Sequence, residues 1–497
     1  MRKLGELLDG LVDGERLDPH RDRLISGVFD DSRRACLGGI FVAVNGTKDD
    51  GRRYARDAVE RGAAVLVGEG LAELDGALVL DVPDARAVLA GLASRWHGLD
   101  GEHCRQLKLA GVTGTNGKST TAFMTAAIMR AAGGRCGVLG TVYYDLCGRS
   151  VTATMTTPGP LELAGYLREC VDAGAKAVVM EVSSHALAQK RTDGVRFDAA
   201  AFTNLTGDHL DYHETFERYR AAKARLFHTL DSSATAIINR DDEHHKWMLD
   251  GCSARQVLFS LEGPAEICAR ITRETIGGTC YVLQIDGREL GLENAVVGRH
   301  NVYNAMTAAG LAHSLGAPID AIATGLAKVR NIPGRLQRVP RATGYDVFVD
   351  YAHTDDALQN VLSVLRSLTR GKLIVVFGCG GDRDRTKRPR MGRVAVELAD
   401  AVIITSDNPR SEDPERIIED ILSGIDRQQR RRVLVEADRR SAIRAALGGA
   451  ARGDVLLIAG KGHEDYQIIG DRRIHFDDVE VAIEAIAELT EAATDRE

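Results

Sequence analysis

The stretch GVTGTNGKSTT, Gly111 to Thr121, sets glycines, a lysine and a row of hydroxyls at phosphate-binding spacing. Gly114 and Gly117 would let backbone N–H groups approach an anion, and a helix opening at Lys118 would point its positive end at it. In such a loop Lys118 reaches the β- and γ-phosphates, the Ser119 hydroxyl ligates Mg2+, and Thr115, Asn116 and Thr120 line the cradle. The strict phosphate-loop pattern asks for a glycine six residues before the lysine, where this chain has Val112. A plain glycine-rich turn is the alternative. The apolar LKLAGVT before the loop and the helical STTAFMTAAIMRAAG after it favour the nucleotide. A second glycine-rich stretch, FGCGGDRD, lacks the third glycine of a dinucleotide fingerprint, since Arg383 occupies that position.

The stretch AVIITSDNPRSEDPERI, Ala401 to Ile417, runs from an apolar strand into a helix. Asp413 can cap that helix and Pro414 suits its first turn. That leaves Asp407, Asn408, Pro409 and Arg410 without a structural duty. An acid and a guanidinium so close together could read the two charges of an amino acid.

These residues need a large scaffold. A chain of 497 residues is too long for one core, and two to four domains are expected. Hydrophobic content of 44% and charged content of 27% are ordinary for a soluble protein, and the net charge of -7 argues against a nucleic-acid partner. The N-terminal MRKLGELLDG lacks the apolar run of a signal peptide, and no segment approaches the ~20 apolar residues of a membrane span. Nine cysteines without a CxxC pair fit reduced thiols in a cytoplasm rather than disulfides or a cysteine metal site.

The first ~100 residues alternate short apolar runs with helical patterns and read as a small α/β domain. The polar RWHGLDGEHCRQ reads as a linker. Strand–turn–helix units follow from Leu107, with strand-like sequence between Ser253 and Glu293 that suggests an antiparallel flap. Beyond Pro333-Gly334 the runs DVFVDYAHT, KLIVVFGCGG, AVIITSDN, RRVLVEAD and DVLLIAGKGHE alternate with helices, the pattern of a doubly wound parallel sheet. Ligands of such sheets bind beyond the carboxyl ends of the strands.

The phosphate loop is joined, in order, by MEVSSHAL, NLTGDHLDYH, AAKARLF, GRHNVYNAMTA, NIPGRLQRV, VDYAHTDDAL, GCGGDRDRTKRPRMG and AGKGHEDYQ. This set, with the N-terminal DDSRRACLGGIFVAVNGTKDDGRRY, resembles the Mur ligases of peptidoglycan synthesis over nearly the whole chain. Within them it is most similar to members that add the third peptide residue. The resemblance implies three α/β domains: residues 1–104 for the UDP-MurNAc end of the substrate, 105–332 as a P-loop-type ATPase sheet, and 333–497 as a Rossmann-like sheet for the amino acid. It implies an ADP-forming ligase that activates the D-Glu γ-carboxylate of UDP-MurNAc-L-Ala-D-Glu as an acyl phosphate and joins it to meso-2,6-diaminopimelate. A cytoplasmic monomer without membrane insertion is the matching expectation.

Residue by residue, the resemblance implies Glu181 and His209 as metal ligands with Ser119, and Lys223 as a lysine carbamylated by CO2 that joins them. On its face Lys223 is a surface lysine of a basic helix. Carbamylation would turn it into a carboxylate-like Mg2+ ligand and needs a neutral amine. ATP contacts are implied for His300, Asn301 and Asn304, and for Arg335 and Asp350. The UDP-sugar end is implied to meet Ser32, Thr47, Lys48 and Asp49. Thr156, Thr157, Ser183, Gln189 and Arg191 line the path to the metal, with Met155 where some relatives carry asparagine. Arg410 would grip the distal carboxylate of diaminopimelate, which L-lysine lacks. Arg383, Asn408, Gly460 and Glu464 complete that pocket with Asp407 and Pro409. An L-lysine-adding homologue, a folylpolyglutamate synthetase, the D-alanyl-D-alanine-adding relative and a non-catalytic nucleotide-binding regulator are the other readings. The N-terminal domain argues against the synthetase. The DNPR and GKGHE loops argue against the D-alanyl-D-alanine-adding relative, and Lys118, Glu181, His209 and Lys223 together argue against the regulator.

Overall fold

Apolar runs covered on both faces make the strands that carry the candidate loops. The computed structural model describes residues 1–46, 49–102, 104–340 and 344–494. It divides into two compact units: Met1–Ala269 with Leu283–Leu290 and Tyr303–Leu326, and Arg270–Val282 with Gly291–Val302 and Ala327–Glu497.

The first unit holds a four-stranded parallel sheet of Val28–Phe29, Gly39–Ala43, Ala63–Gly68 and Leu78–Asp81. A larger sheet follows. Its parallel strands lie in the spatial order Cys136–Leu139, Ala177–Glu181, Lys108–Thr113, Ala199–Phe202, Thr235–Asn239 and Arg255–Ser260. Tyr143–Asp145 and Ser150–Thr152 extend one edge antiparallel. Lys108–Thr113 comes first in the chain but sits in the middle, so the strand order reverses beside it. That reversal is where ligands bind in open α/β sheets.

Ile267–Thr275, Gly278–Ile285 and Arg288–Asn294 are strands where the antiparallel flap was expected, but the first of them begins parallel to Arg255–Ser260. The last two strands are joined by Asp286-Gly287, with φ 50° and 70°, the positive pair that a tight hairpin turn requires. One boundary is corrected. The stretch read as a linker begins inside the helix Ala85–His97, which continues to its left-handed stop at Gly98, φ 70°.

In the second unit, Asp346–Asp350, Val455–Ala459, Leu373–Phe377, Ala401–Ile404 and Val433–Val435 form a parallel sheet in that spatial order, with Gln337–Arg338 antiparallel at one edge. All five expected runs are strands. Side chains alternate between two cores, as the period of a strand demands. Val375 and Phe377 pack with Leu358, Leu362 and Met391, while Ile374 and Val376 pack with Ile443, Leu447 and Ile486. Helices therefore cover both faces, which makes the sheet doubly wound.

Arg439 and Asp478 are both fully buried and joined by two hydrogen bonds of 2.7 Å. Arg439 also donates to the carbonyls of Ala459 (3.0 Å) and Ser406 (3.4 Å), which tether the strand ends carrying two candidate loops. Arg439→Leu leaves Asp478 buried and unpaired and is expected to cost about 3–5 kcal/mol of stability. Arg439→Leu/Asp478→Leu is expected to recover much of it. Urea denaturation checks this, and a single variant as stable as the parent would contradict it.

Candidate active site

Gly114 (φ 149°) and Gly117 (φ 87°) shape the loop between Lys108–Thr113 and the helix Lys118–Ala131. A Cβ at Gly114 would lie 1.9 Å from Thr203 Oγ1, and one at Gly117 would lie 2.3 Å from Asn304 Oδ1. Only glycine fits either place. The segment after Ala199–Phe202 holds the loop's backbone. Thr115 N–H donates to Asn204 O and Asn116 N–H to Asn204 Oδ1, both at 2.9 Å, and Thr203 Oγ1 donates to Asn116 O at 2.6 Å. Ser119 and Thr120 are buried at the helix start. The Lys118 ammonium lies over the loop and donates to Gly114 O (3.0 Å) and Thr115 O (2.8 Å).

Lys223 points at the same loop. It is buried on the helix Phe216–His228, donates to Gly114 O at 2.8 Å and lies 4.6 Å from the Tyr219 ring centroid. The Tyr219 hydroxyl in turn is 2.9 Å from Thr115 Oγ1. Burial, and then the charge of Lys118, hold the Lys223 amine well below its ordinary pKa, with Asp208 pulling weakly the other way. The bland reading of a surface lysine is therefore wrong. Helical spacing carried the missed signal, because Tyr219, Lys223, Leu226 and Phe227 form the buried stripe of that helix.

Glu181 ends its strand with its carboxylate held by Thr141, from N–H at 2.8 Å and from Oγ1 at 3.0 Å. Thr141 Oγ1 is 3.1 Å from Thr156 Oγ1, so Thr141 joins two expected site residues, although nothing in the sequence marked it. Thr157 Oγ1 donates to Glu181 O at 2.8 Å and accepts from Ser183 N–H at 3.0 Å. Arg191 donates to Gln189 Oε1 and, at 2.9 Å, to Thr157 O, with Met155 Sδ 3.2 Å from its Nη1. The chain's departure at Met155 thus rests against the arginine of the same path.

His209 sits on left-handed backbone (φ 53°) with its ring half-exposed, edge-on to His185 at 4.9 Å and 6.2 Å from Tyr219. Among the described residues no three His, Cys, Asp or Glu side chains converge as a metal site. A serine hydroxyl, a carboxylate and one imidazole supply mainly hard donors, which suit Mg2+. Ser32 is buried and donates to Asp57, and Asp49 closes its loop by accepting from Gly46 N–H at 2.8 Å. Thr47 and Lys48 lie outside the described residues.

Asn304 belongs with the phosphate loop of the first unit. His300, Asn301, Arg335 and Asp350 belong to the second. There the Asp350 carboxylate accepts from the N–H groups of Leu336 (2.6 Å) and Ala352 (2.8 Å). Burial raises its pKa while the Arg335 charge opposes the rise, and Arg335 lies 5.1 Å over the Tyr351 ring. His300 is exposed, and the Asn301 amide donates to Val297 O at 2.7 Å.

Three adjacent strands of the second sheet send the loops Gly378–Asp382, Asp407–Arg410 and Gly460–Glu464 to one edge. The expectation that Asp407 to Arg410 have no structural duty is overturned. Asp407, Asn408 and Pro409 are buried, Asp407 O accepts from Gln467 Nε2 (2.7 Å), and Asn408 Oδ1 accepts from Ile468 N–H (2.9 Å). Arg410, at φ 52°, pairs its backbone with Ile468 and Gly470, and its Nη1 donates to Gly381 O at 2.7 Å. Gly380 makes room for that guanidinium, since a Cβ there would lie 2.9 Å from Nη1. The Asn408 amide donates to Glu464 Oε2 at 2.8 Å. Burial raises the Glu464 pKa, against the lowering charge of a buried neighbour, Lys461. Arg383 is exposed beside the pocket.

The chain is similar throughout to proteins of known kind. Residues 112–312 match the Mur ligase middle domain and 334–462 the Mur ligase glutamate ligase domain. A UDP-N-acetylmuramoyl-L-alanyl-D-glutamate–2,6-diaminopimelate ligase from Solibacter usitatus is 42% identical over 97% of this chain and 98% of its own. The Bacillus licheniformis protein of that name is 41% identical over 98% of this chain and 100% of its own. A solved structure of a 2,6-diaminopimelate ligase of this type superposes with a TM-score of 0.70 at 35% identity, covering 95% of this chain and 96% of that one.

Proposed function

The chain belongs to the Mur ligases, and from that membership we propose that it adds meso-2,6-diaminopimelate to UDP-MurNAc-L-Ala-D-Glu in peptidoglycan precursor synthesis, with ATP converted to ADP and phosphate. The observation that carries this reading is the 42% identity, over 97% of the chain, to a ligase so named.

A carboxylate is a poor acyl donor because its oxygen leaves badly. In the first step a γ-carboxylate oxygen of D-Glu attacks the γ-phosphorus of ATP, the bond to ADP breaks, and an acyl phosphate forms. In the second, an amine of diaminopimelate attacks the acyl carbon, phosphate leaves and a proton is lost, giving the amide. The protein's share is positioning and charge neutralisation.

The Gly114 to Thr120 loop cradles the phosphates, with Lys118 moving from the Gly114 and Thr115 carbonyls to the β- and γ-oxygens. The neutral Lys223 amine adds to CO2 with loss of a proton and becomes a carbamate anion. Ser119, Glu181, His209 and that carbamate would hold Mg2+, which when bound supplies positive charge to the phosphoryl oxygens. Thr141 and Thr157 fix the Glu181 strand end, and Arg191 pairs with a substrate carboxylate or phosphate beside Thr156, Ser183 and Gln189. Ser32, Thr47, Lys48 and Asp49 bind the UDP-sugar end. His300, Asn301, Asn304, Arg335 and Asp350 contact the nucleoside.

Arg410 and Arg383 take the distal carboxylate of diaminopimelate, and Glu464 and Asn408 the distal ammonium, framed by Asp407, Pro409 and Gly460. Residues 1–104, 105–332 and 333–497 act as the sugar-nucleotide, ATPase and amino-acid domains of a monomer. No helix among the described residues is long and apolar enough to cross a membrane. Nine free cysteines support a reducing cytoplasm. Incubation with Mg2+, ATP, UDP-MurNAc-L-Ala-D-Glu and meso-diaminopimelate is expected to release ADP. Release that ignores either acceptor would defeat the proposal.

A further inference from the structure

Lys461 stands between Gly460 (φ 114°) and Gly462 (φ 56°), two backbone conformations that L side chains rarely adopt. They fold the loop back so that the lysine is buried completely, which is costly for an ammonium unless it is paired. Its Nζ lies 3.4 Å from Glu464 Oε2, 3.5 Å from Asn408 Oδ1 and 3.9 Å from Asp407 Oδ1, and 5.4 Å from the Tyr466 ring centroid. Asn408 completes a closed set by donating its amide to Glu464 Oε2. Nothing in the steps above uses this cation.

We propose that Lys461 is a positioning residue for the diamino acid: it orients Asn408 and Glu464 and cancels one of the two carboxylate charges beside it, so that one carboxylate charge is left for the single ligand ammonium. The proposal rests on the reading of this edge as the diamino-acid pocket. Its logic is electrostatic. Asp407 and Glu464 are like charges in a buried setting, where two carboxylates cannot both stay ionised cheaply. Glu464 also faces Arg439, Tyr351 and Tyr466, and burial already pushes its pKa up while Lys461 pulls it down. Without the lysine, Glu464 moves further toward the neutral acid, which cannot pair with an ammonium.

Steady-state kinetics of full-length Lys461→Met test this. The KM for meso-diaminopimelate is expected to rise about thirtyfold or more. The KM values for ATP and UDP-MurNAc-L-Ala-D-Glu are expected to stay within about threefold. In the variant alone, the raised KM should fall as pH rises, because Glu464 then ionises. Should Lys461→Met fail to fold, Lys461→Met/Asp407→Asn takes its place. That variant loses one carboxylate together with the ammonium, so Glu464 no longer meets a like charge from Asp407, and the same KM is expected to rise about fivefold. An unchanged diaminopimelate KM, or three KM values and kcat shifting together with no pH trend, overturns the proposal. If the parent enzyme does not use diaminopimelate at all, the reading of the pocket fails rather than the role of Lys461.

Discussion

Lys223→Ala is expected to lower ligation by about a thousandfold or more, equivalent to ~4 kcal/mol of transition-state stabilisation. The lysine touches the carbonyl of Gly114, which Lys118 also touches. Two ammonium groups on one acceptor repel each other, and burial makes the charged form of Lys223 costlier still. Both effects favour the neutral amine, the nucleophile that carbamylation needs. Conversion of Lys223 to a carbamate, as proposed, would replace a repulsive pair by an attractive one beside the phosphate loop. Two further results follow. Acetate or formate should partly restore Lys223→Ala by supplying a carboxylate in the vacated space. Lys223→Arg should stay inactive under the same treatment, because a guanidinium neither loses its proton nor adds CO2. Labelled CO2 should give the parent a carbamate resonance that the variants lack. Full activity of Lys223→Ala without additive would refute the role.

Arg410→Ala is expected to lower kcat/KM for meso-diaminopimelate about 30- to 150-fold, or ~2–3 kcal/mol, while any slow use of L-lysine changes little. The guanidinium is held by Gly381 O through one nitrogen and has room beside Gly380, leaving further N–H groups for a carboxylate. Its left-handed backbone, shared by Asp382 in the facing loop, is the kind of local strain that binding sites retain. Arg410→Lys should recover only part of the loss, since an ammonium cannot match a carboxylate with two parallel donors. Equal kcat/KM for parent and Arg410→Ala with diaminopimelate would contradict the assignment.

Much of this was legible in the sequence, and the residues show why. LIVVF and VLLIA announce strands because a sheet covered on both faces leaves no polar alternation. Gly114, Gly117 and Lys118 announce the phosphate loop because their roles depend on a few adjacent backbone conformations. Asp413 caps its helix as its type and position suggest. Duties set by distant partners were hidden. The strand residues that occupy Asp407 and Asn408 lie 60 positions along the chain, and Thr141 meets Glu181 across 40. Lys461 reads as one more loop lysine until the two glycines beside it are seen to fold it inward.

The central claim is the choice of amino acid, and one competition measures it. The enzyme is incubated with ATP, Mg2+ and UDP-MurNAc-L-Ala-D-Glu in the presence of equal meso-diaminopimelate and L-lysine, and the products are weighed by mass spectrometry. The structure predicts the diaminopimelate tripeptide in large excess, with one ADP for each amide formed. A lysine tripeptide as the main product, or ADP without either amide, would contradict it.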